Sequence, residues 1–579
     1  MKNGKIPLWI LLVFSLNFCV FCWFLITDVY PIALVGINAS SIIGIVFMIL
    51  RGQSIRKFLR NHLVDVGIVF TLFILAFAIR IYKIDVITPG MWGDEVGYAK
   101  IGERLVDAKK FVPFSDDLFA PPTPFLYLIG FTVKTLGRSM VTVRLWGVIF
   151  GALGVSALYI LLCSIFTRRF ALMGSALILV LYHHMIISRF AYEMTAGVFF
   201  EILTLLFLYE SWKTKRAEHL LASALTIAGA LYTYLAFRTH AIVIFVIVVL
   251  IIWKIKQSTK DKLTNLAIFC IVLFIALVPW FSFSIRHPDH VMARAKAISV
   301  FHQNLPASEV MKEIWGSTKL SLGMFLVTGD PNPRQNPSMQ TSMYDLSVVG
   351  MSIVGCIYLF KKNKPIALAL LILMIPSFVN DIFSIELIPE FHYYGTGHPS
   401  ATRTLGLIPL MMVLCTFGYY AIDRALELFC GFPGKTRVFI LGSIVGISMY
   451  FNWVWYFQQP PSKYLYNANM VRMIDAANFA NLAAKNGEKT IALSKSLLND
   501  QRVDYFIDRS LNILPLDINE TETSVDVIPR LTYTLIDVRT AKSLAKELID
   551  PKFAEMNSLT VRAIKTQWPE VDTLIVYKQ

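Results

Sequence analysis

Runs of about twenty apolar residues recur along this chain, separated by short polar turns, and this spacing is that of helices crossing a bilayer. It predicts membrane helices over 7–27, 32–50, 63–82, 142–166, 170–187, 192–212, 218–237, 240–256, 264–285, 344–360, 365–385, 403–422 and 437–457, about thirteen in all. No alternating ten-residue strands of a membrane barrel interrupt them. Residues 95–110 have helical spacing without the length or apolarity to span. Residues 125–137 follow Pro121, Pro122 and Pro124 and end at Gly137, the pattern of a helix lying along an interface. After Pro460 and Pro461 the pattern changes. A helix is expected around 466–485, and strands over 490–494, 503–507, 531–536 and 572–577. The fold class is therefore an α-helical polytopic membrane protein with a small C-terminal α/β domain. Three parts are expected: two extra N-terminal helices in 1–60, a membrane module in 61–457, and a soluble domain in 458–579.

Charge sets an expected orientation. The 579 residues are 56% hydrophobic and 16% charged, with a net charge of +15. The basic residues lie in short tracts on alternate turns, such as Arg168/Arg169, Lys213/Lys215/Arg216 and Lys361/Lys362/Lys364. That is the signature of cytoplasmic loops, not of a nucleic-acid-binding patch, so no nucleic acid is expected as partner. The N-terminus is then cytoplasmic. The long loops 83–141, 286–343 and 386–402 and the C-terminal domain fall on the outer face. Long polar loops gathered on one face suggest the roof of a site. All seven cysteines lie in or beside apolar segments, and the C-terminal part has none, so no disulfide framework is implied. The first apolar run lacks a small-residue cleavage site and reads as a retained helix.

The candidate chemistry lies in those loops. Asp94 and Glu95, flanked by Trp92, Gly93 and Gly97, follow the third apolar run. Asp94 suits a general base for an acceptor hydroxyl, and it equally suits the N-cap of the next helix. Arg189 and Glu193 are four apart, as for an ion pair on one helical face. Glu201 falls two turns into an apolar run, where a carboxylate marks a site or a wet cavity. Asp330 and Arg334 belong to the proline- and amide-rich stretch Gly329-Asp330-Pro331-Asn332-Pro333-Arg334, either a rigid connector or a lid over a polar headgroup. Arg403, with His398 nearby, opens a helix and suits a phosphate, or else a lipid headgroup. Arg238 has the same two readings. No pattern calls for a cofactor, and a divalent metal is compatible with the chemistry but not indicated: HExxH, Walker and dinucleotide signatures are all missing.

These motifs, in this order, resemble the GT-C superfamily of membrane glycosyltransferases, and within it the protein-mannosyltransferase and aminoarabinose-transferase-like group. The resemblance rests on the acidic pair Asp94-Glu95, on Pro121-Pro122, and on Val143-Arg144-Leu145-Trp146-Gly147 entering a helix. It rests further on Ser188-Arg189 with Glu193 four on, on the Asp330–Arg334 stretch, and on His398-Pro399 followed by Arg403 and Pro409. It covers roughly 63–457. It implies a polyprenyl-phosphate-linked sugar donor, membrane lipids as surroundings, and an acceptor that is a protein, lipid or glycan. Transfer would take place on the outer face by an inverting displacement. By position, Asp94 would be the base and Arg403 the cation at the leaving phosphate, with Glu95, Arg189 and Glu193 holding Asp94 and the acceptor. Three departures stand out: the extra helices in 1–60, Ala120 where relatives carry Lys near the phosphate, and Glu193 where many carry Asp. A transporter or flippase is the alternative, and would show helices broken near the midplane. A non-catalytic scaffold presenting the C-terminal domain is a third.

Overall fold

A computed structural model describes residues 7–51, 62–108, 111–117, 120–254, 257–339, 341–385, 399–462, 465, 469–518, 524–529, 533–537, 541–563 and 573–578. The chain divides into two compact units. The first comprises residues 1–82, 101–131 and 144–460; the second comprises 83–100, 132–143 and 461–579.

Each apolar segment expected to be helical is helical. Among the described residues, eight helices are long and apolar enough to cross a membrane, or ten if each of two bent pairs is one span. The expected count of about thirteen exceeds this because Ile32–Phe47 and Ala217–Leu231 are shorter, and Leu346–Lys362 has only 17 residues. The protein is an integral, multi-pass membrane protein.

The expected single helices 170–187 and 264–285 are each broken. Arg168–Val180 and Tyr182–Ser188 meet at 56°, and Thr259–Ala276 and Val278–Arg286 meet at 72°. The second break has a covalent cause. Pro279 lies in the first turn of Val278–Arg286, and proline has no amide hydrogen. The carbonyl four residues earlier, that of Ile275, therefore loses its helical donor. Asn38, from the N-terminal pair of helices, supplies one: its Nδ2 donates to Ile275 O at 2.7 Å and to Asn17 Oδ1 at 2.8 Å. Asn17 donates in turn to Ser41 at 2.8 Å. The apolar contacts follow the same seam, where Val20, Phe24 and Tyr30 pack against Val278, Phe283, Val291 and Phe114. The first two helices are thus built into the core of the membrane unit.

The break at Leu181 is closed in the same way. The freed Tyr182 amide donates to Asn452 Oδ1 at 2.8 Å. Asn452 Nδ2 donates to Asp345 Oδ2 at 2.8 Å, and Ser448 donates to the same oxygen at 2.8 Å. The other oxygen of Asp345 caps Leu346–Lys362, accepting the amide of Ser347 at 2.9 Å. That helix crosses Leu407–Cys430 closely. Gly355 abuts the Leu414 carbonyl and Gly418 that of Met351, so side chains at either glycine would strike backbone.

The second unit contains a five-stranded sheet in the order β2-β1-β3-β5-β4. The strands are β1 (Thr490–Ser494), β2 (Asn512–Leu516), β3 (Tyr533–Asp537), β4 (Leu559–Ala563) and β5 (Thr573–Lys578). β1 is parallel to β2 and β3, whereas β5 is antiparallel to β3 and β4. Ile491, Leu493 and Leu535 pack with Met473, Ala476, Ala480 and Ala483 of the helix Val471–Lys485. Ile536, Leu574 and Val576 pack with Leu544, Ala545 and Leu548 of the helix Lys542–Leu548. The expected strand 503–507 is instead the helix Gln501–Phe506. Asp500 starts it by accepting the Arg502 amide at 2.8 Å, a cap that outweighs the β-prone Val503, Tyr505 and Phe506. β2 went unrecognised because it contains Pro515, which an edge strand tolerates.

Asn38→Leu should lower stability by about 1–2 kcal/mol, measured by unfolding in detergent. Combining it with Pro279→Ala, which returns the missing amide, should recover part of the loss.

Candidate functional site

The candidate residues form two constellations, one in each unit. In the second unit, residues 93–100 form the start of the helix Gly93–Asp107, whose first turn carries both acids. Glu95 is fully buried, and its Oε2 accepts the Trp92 amide at 3.1 Å. A Glu three residues past the capping position reaches back in this way in the capping box. The cap expected of Asp94 is therefore made by Glu95. Asp94 is half-buried beside it, at the end of the helix where the dipole favours a carboxylate.

The first unit assembles the remaining candidates. Arg189 is fully buried, and its Nη1 donates to the carbonyls of Ile79, Arg80 and Tyr82 at 3.3, 2.7 and 2.8 Å. It closes the C-terminal turn of the helix Leu63–Ile81, where a cation meets the negative end of the dipole. The rings of Tyr456 and Phe457 lie 5.3 and 5.5 Å from its guanidinium carbon. Glu193 is buried directly before Met194–Thr214. Residues 189–193 form the turn between two helices, so the spacing of four does not place Arg189 and Glu193 on one helical face as expected.

Asp330 is buried, and both its oxygens serve backbone amides. Oδ1 accepts from Asn332 at 2.7 Å and Oδ2 from Ala401 at 2.6 Å. Gln335 Oε1 accepts from the Thr402 amide at 3.1 Å and from the Ser400 hydroxyl at 3.0 Å. Asp381 accepts the Ser400 amide at 2.9 Å and also the Ser321 hydroxyl. His183 Nε2 lies 2.9 Å from the Ala401 carbonyl. Three successive amides, 400 to 402, are thus held by three side chains of other segments. The segment so fixed carries Arg403, whose Nη1 donates to Ser384 O at 2.9 Å and lies 3.9 Å from Asp381 Oδ1. Asp330 reads as the pin of this segment, and the Asp330–Arg334 stretch as its rigid frame. Burial pushes the Asp330 carboxyl up to about 7, against the pull of the two amides and of Arg334.

Arg334 donates to the Tyr192 hydroxyl at 3.1 Å and lies over its ring. Arg238 has other partners, the Val291 carbonyl at 2.9 Å and the face of Trp280. His398 lies outside the described residues. Glu201 forms a chain with His240 at 2.8 Å, which in turn lies 3.0 Å from Ser377. The intramembrane carboxylate is thus matched by protein groups, as such a charge must be.

Sequence reasoning passed over Arg80, Asp381 and Asp345. Arg80 is fully buried, and no carboxylate pairs with it among the described residues. Ser188, His184 and the carbonyls of Ala76 and Leu179 take its hydrogens. Arg80 and Asp381 carried a usable signal, a charge inside an apolar run.

No family model matches the chain, and no curated protein matches it. Among solved structures, ArnT from Cupriavidus metallidurans in the apo state aligns over 89% of this chain and 97% of its own, at 13% identity and a TM-score of 0.50. ArnT bound to undecaprenyl phosphate aligns over 90% and 98%, at 12% identity and a TM-score of 0.47. The oligosaccharyltransferase AglB from Archaeoglobus fulgidus, in complex with an inhibitory peptide and a dolichol-phosphate, aligns over 89% and 76%, at 12% identity and a TM-score of 0.44. These are GT-C superfamily proteins, and the likeness to ArnT is one of fold.

Because the folded Asp330 keeps a proton that an ordinary carboxyl at 3.8 has released, its contribution to stability is greatest below about 4. It should fall as pH rises towards about 7 and level off above. Asp330→Asn should remove that slope from the unfolding temperature measured across this range.

Proposed function

We propose, on the GT-C fold as premise, that this chain is a glycosyltransferase that moves a hexosyl or pentosyl group from a polyprenyl-phosphate donor to an acceptor hydroxyl. The acceptor is carried by a protein, a lipid or an envelope glycan. The reaction is placed on the outer face, where the charge pattern of the sequence puts the long loops. The observation that carries the reading is the division of labour in the acidic pair. Glu95 is buried and occupied as a cap, while Asp94 stays half-exposed in the same first turn.

In this reading Asp94 takes the acceptor's proton as the acceptor oxygen attacks the anomeric carbon. The bond from that carbon to the phosphate oxygen breaks, and polyprenyl phosphate leaves with inversion. Negative charge grows on the leaving phosphate, so a preorganised cation contributes most in the transition state. Arg403 is assigned that task, since its segment is locked by Asp330, Gln335 and Asp381. Arg189, Glu193, Asp330 and Arg334 keep the substrate-binding part that the sequence expects of them. Arg238 has no assigned part.

The transporter reading draws on the two broken helices. Both breaks are filled by protein side chains, Asn38 at one and Asn452 at the other. The Ile275 carbonyl and the Tyr182 amide are thus held by the protein itself, whereas a transport site leaves such groups to its substrate.

The test is mass spectrometry of envelope glycans and glycoproteins from cells with and without the gene. Asp94→Asn should reduce transfer by roughly 10²–10⁴-fold while the protein still folds and inserts; near-normal transfer would remove the base assignment. Arg403→Ala should weaken donor use by on the order of 10²-fold, and an unchanged rate and donor affinity would take it out of the site.

A further inference from the structure

The acidic loop is held by the C-terminal domain within one compact unit. Asn469 clasps the loop on both sides of Gly90: its Nδ2 donates to Pro89 O at 2.9 Å, and its carbonyl accepts the Met91 amide at 3.0 Å. Gly90 has a φ of +69°, and a side chain there would strike the Asn469 carbonyl. Arg502, from the helix Gln501–Phe506, donates Nε to the Met91 carbonyl at 2.8 Å. Both backbone groups of Met91 are therefore taken by the C-terminal domain, three residues before Asp94.

Arg502 is almost fully buried. Its Nη1 is held by Asp500 Oδ2 at 2.7 Å, and the Glu95 carboxylate acts on it electrostatically. Burial holds its guanidinium below its ordinary range, while Asp500 and Glu95 pull the other way. A methyl group on Gly93 would meet Gln501 Nε2 and, a little further away, Arg502 Nη2, so the helix start approaches this arginine closely. Further along, Lys100 pairs with Asp504 at 2.8 Å, and Arg138 lies 4.7 Å over the Tyr505 ring. One six-residue helix thus touches the loop before the acids, the helix start that carries them and the turn beyond.

We propose that Arg502 is a positioning residue: through the Met91 carbonyl and the Glu95 carboxylate it fixes the first turn that presents Asp94. The C-terminal domain is then part of the catalytic apparatus and not an appended acceptor-binding module. The catalytic half of this inference rests on Asp94 being the base; the clasp itself does not.

The experiment uses the full chain in detergent and in cells lacking the gene. Amide hydrogen exchange is followed at 91–96 and at β1 in wild type, Arg502→Met, Arg502→Lys and Asn469→Ala. Envelope glycans are measured by mass spectrometry for the same set. Arg502→Met should speed exchange at 91–96 by roughly tenfold, leave β1 protected and depress transfer. Arg502→Lys, which keeps a donor and a charge, should restore most of both. Asn469→Ala, a milder change that keeps the test decidable should Arg502→Met fail to fold, should give a smaller rise confined to 91–92. Unchanged exchange at the loop in either of these two variants overturns the clasp. Loss of protection at β1 together with the loop, unrescued by Arg502→Lys, makes Arg502 a folding residue and overturns the positioning role. If exchange responds as expected but wild-type cells show no glycan product, the clasp stands and the glycosyltransferase reading is what fails.

Discussion

A peptide group released from a helix inside a bilayer finds no water, so the protein itself must supply its partner. Much of this structure follows from meeting that demand. Pro279 frees the Ile275 carbonyl, and Asn38 answers it. The turn at Leu181 frees the Tyr182 amide, and Asn452 answers it, oriented in turn by Asp345. The last carbonyls of Leu63–Ile81 are answered by Arg189. In each case a polar side chain from a distant segment is committed to a backbone group. The tertiary arrangement is thereby specified by hydrogen bonds as well as by apolar packing, which distinguishes poorly between one lipid-facing surface and another.

The same economy organises the loops that carry the candidate chemistry. Asp330, Gln335 and Asp381 each commit one oxygen to one of three consecutive amides, 400 to 402. A loop pinned at every residue cannot drift, and a cation carried on it keeps its place without reorganisation. That preorganisation is where electrostatic catalysis draws its advantage. In the acidic pair, Glu95 is buried and accepts the Trp92 amide, closing the helix turn that also carries Asp94.

The helical architecture was legible because apolar length and the alternation of basic turns are physical requirements of a bilayer. The bends were not, although Pro279 was in plain view: a proline announces the broken bond but not the angle or the partner, and Asn38 lies 237 residues away. The loop residues were legible as polar and fixed, but not by role. The letters of Asp330 and Arg189 marked charge but not the backbone partners each holds, two amides for Asp330 and three carbonyls for Arg189. The division of Asp94 and Glu95 into base and support was an expectation of the sequence, but the residue that makes the cap was not legible, because a carboxylate before the helix or one in its first turn can reach the free amides. In the C-terminal domain, residues 503–507 read as a strand because local propensity was weighed without the Asp500 cap. β4 gave no comparable signal.

The link between Asn38 and Ile275 also bears on how the chain is made. The two residues are joined by one hydrogen bond yet separated by 237 positions. At about 5–20 residues per second, that interval is on the order of ten to fifty seconds of synthesis. Throughout it the N-terminal hairpin sits in the membrane with its eventual partner unmade. Asn17, Asn38 and Ser41 hydrogen-bond with one another across the hairpin. A hairpin formed first would satisfy one Asn38 amide hydrogen through Asn17 and keep the other for the Ile275 carbonyl, as a template for the later helix.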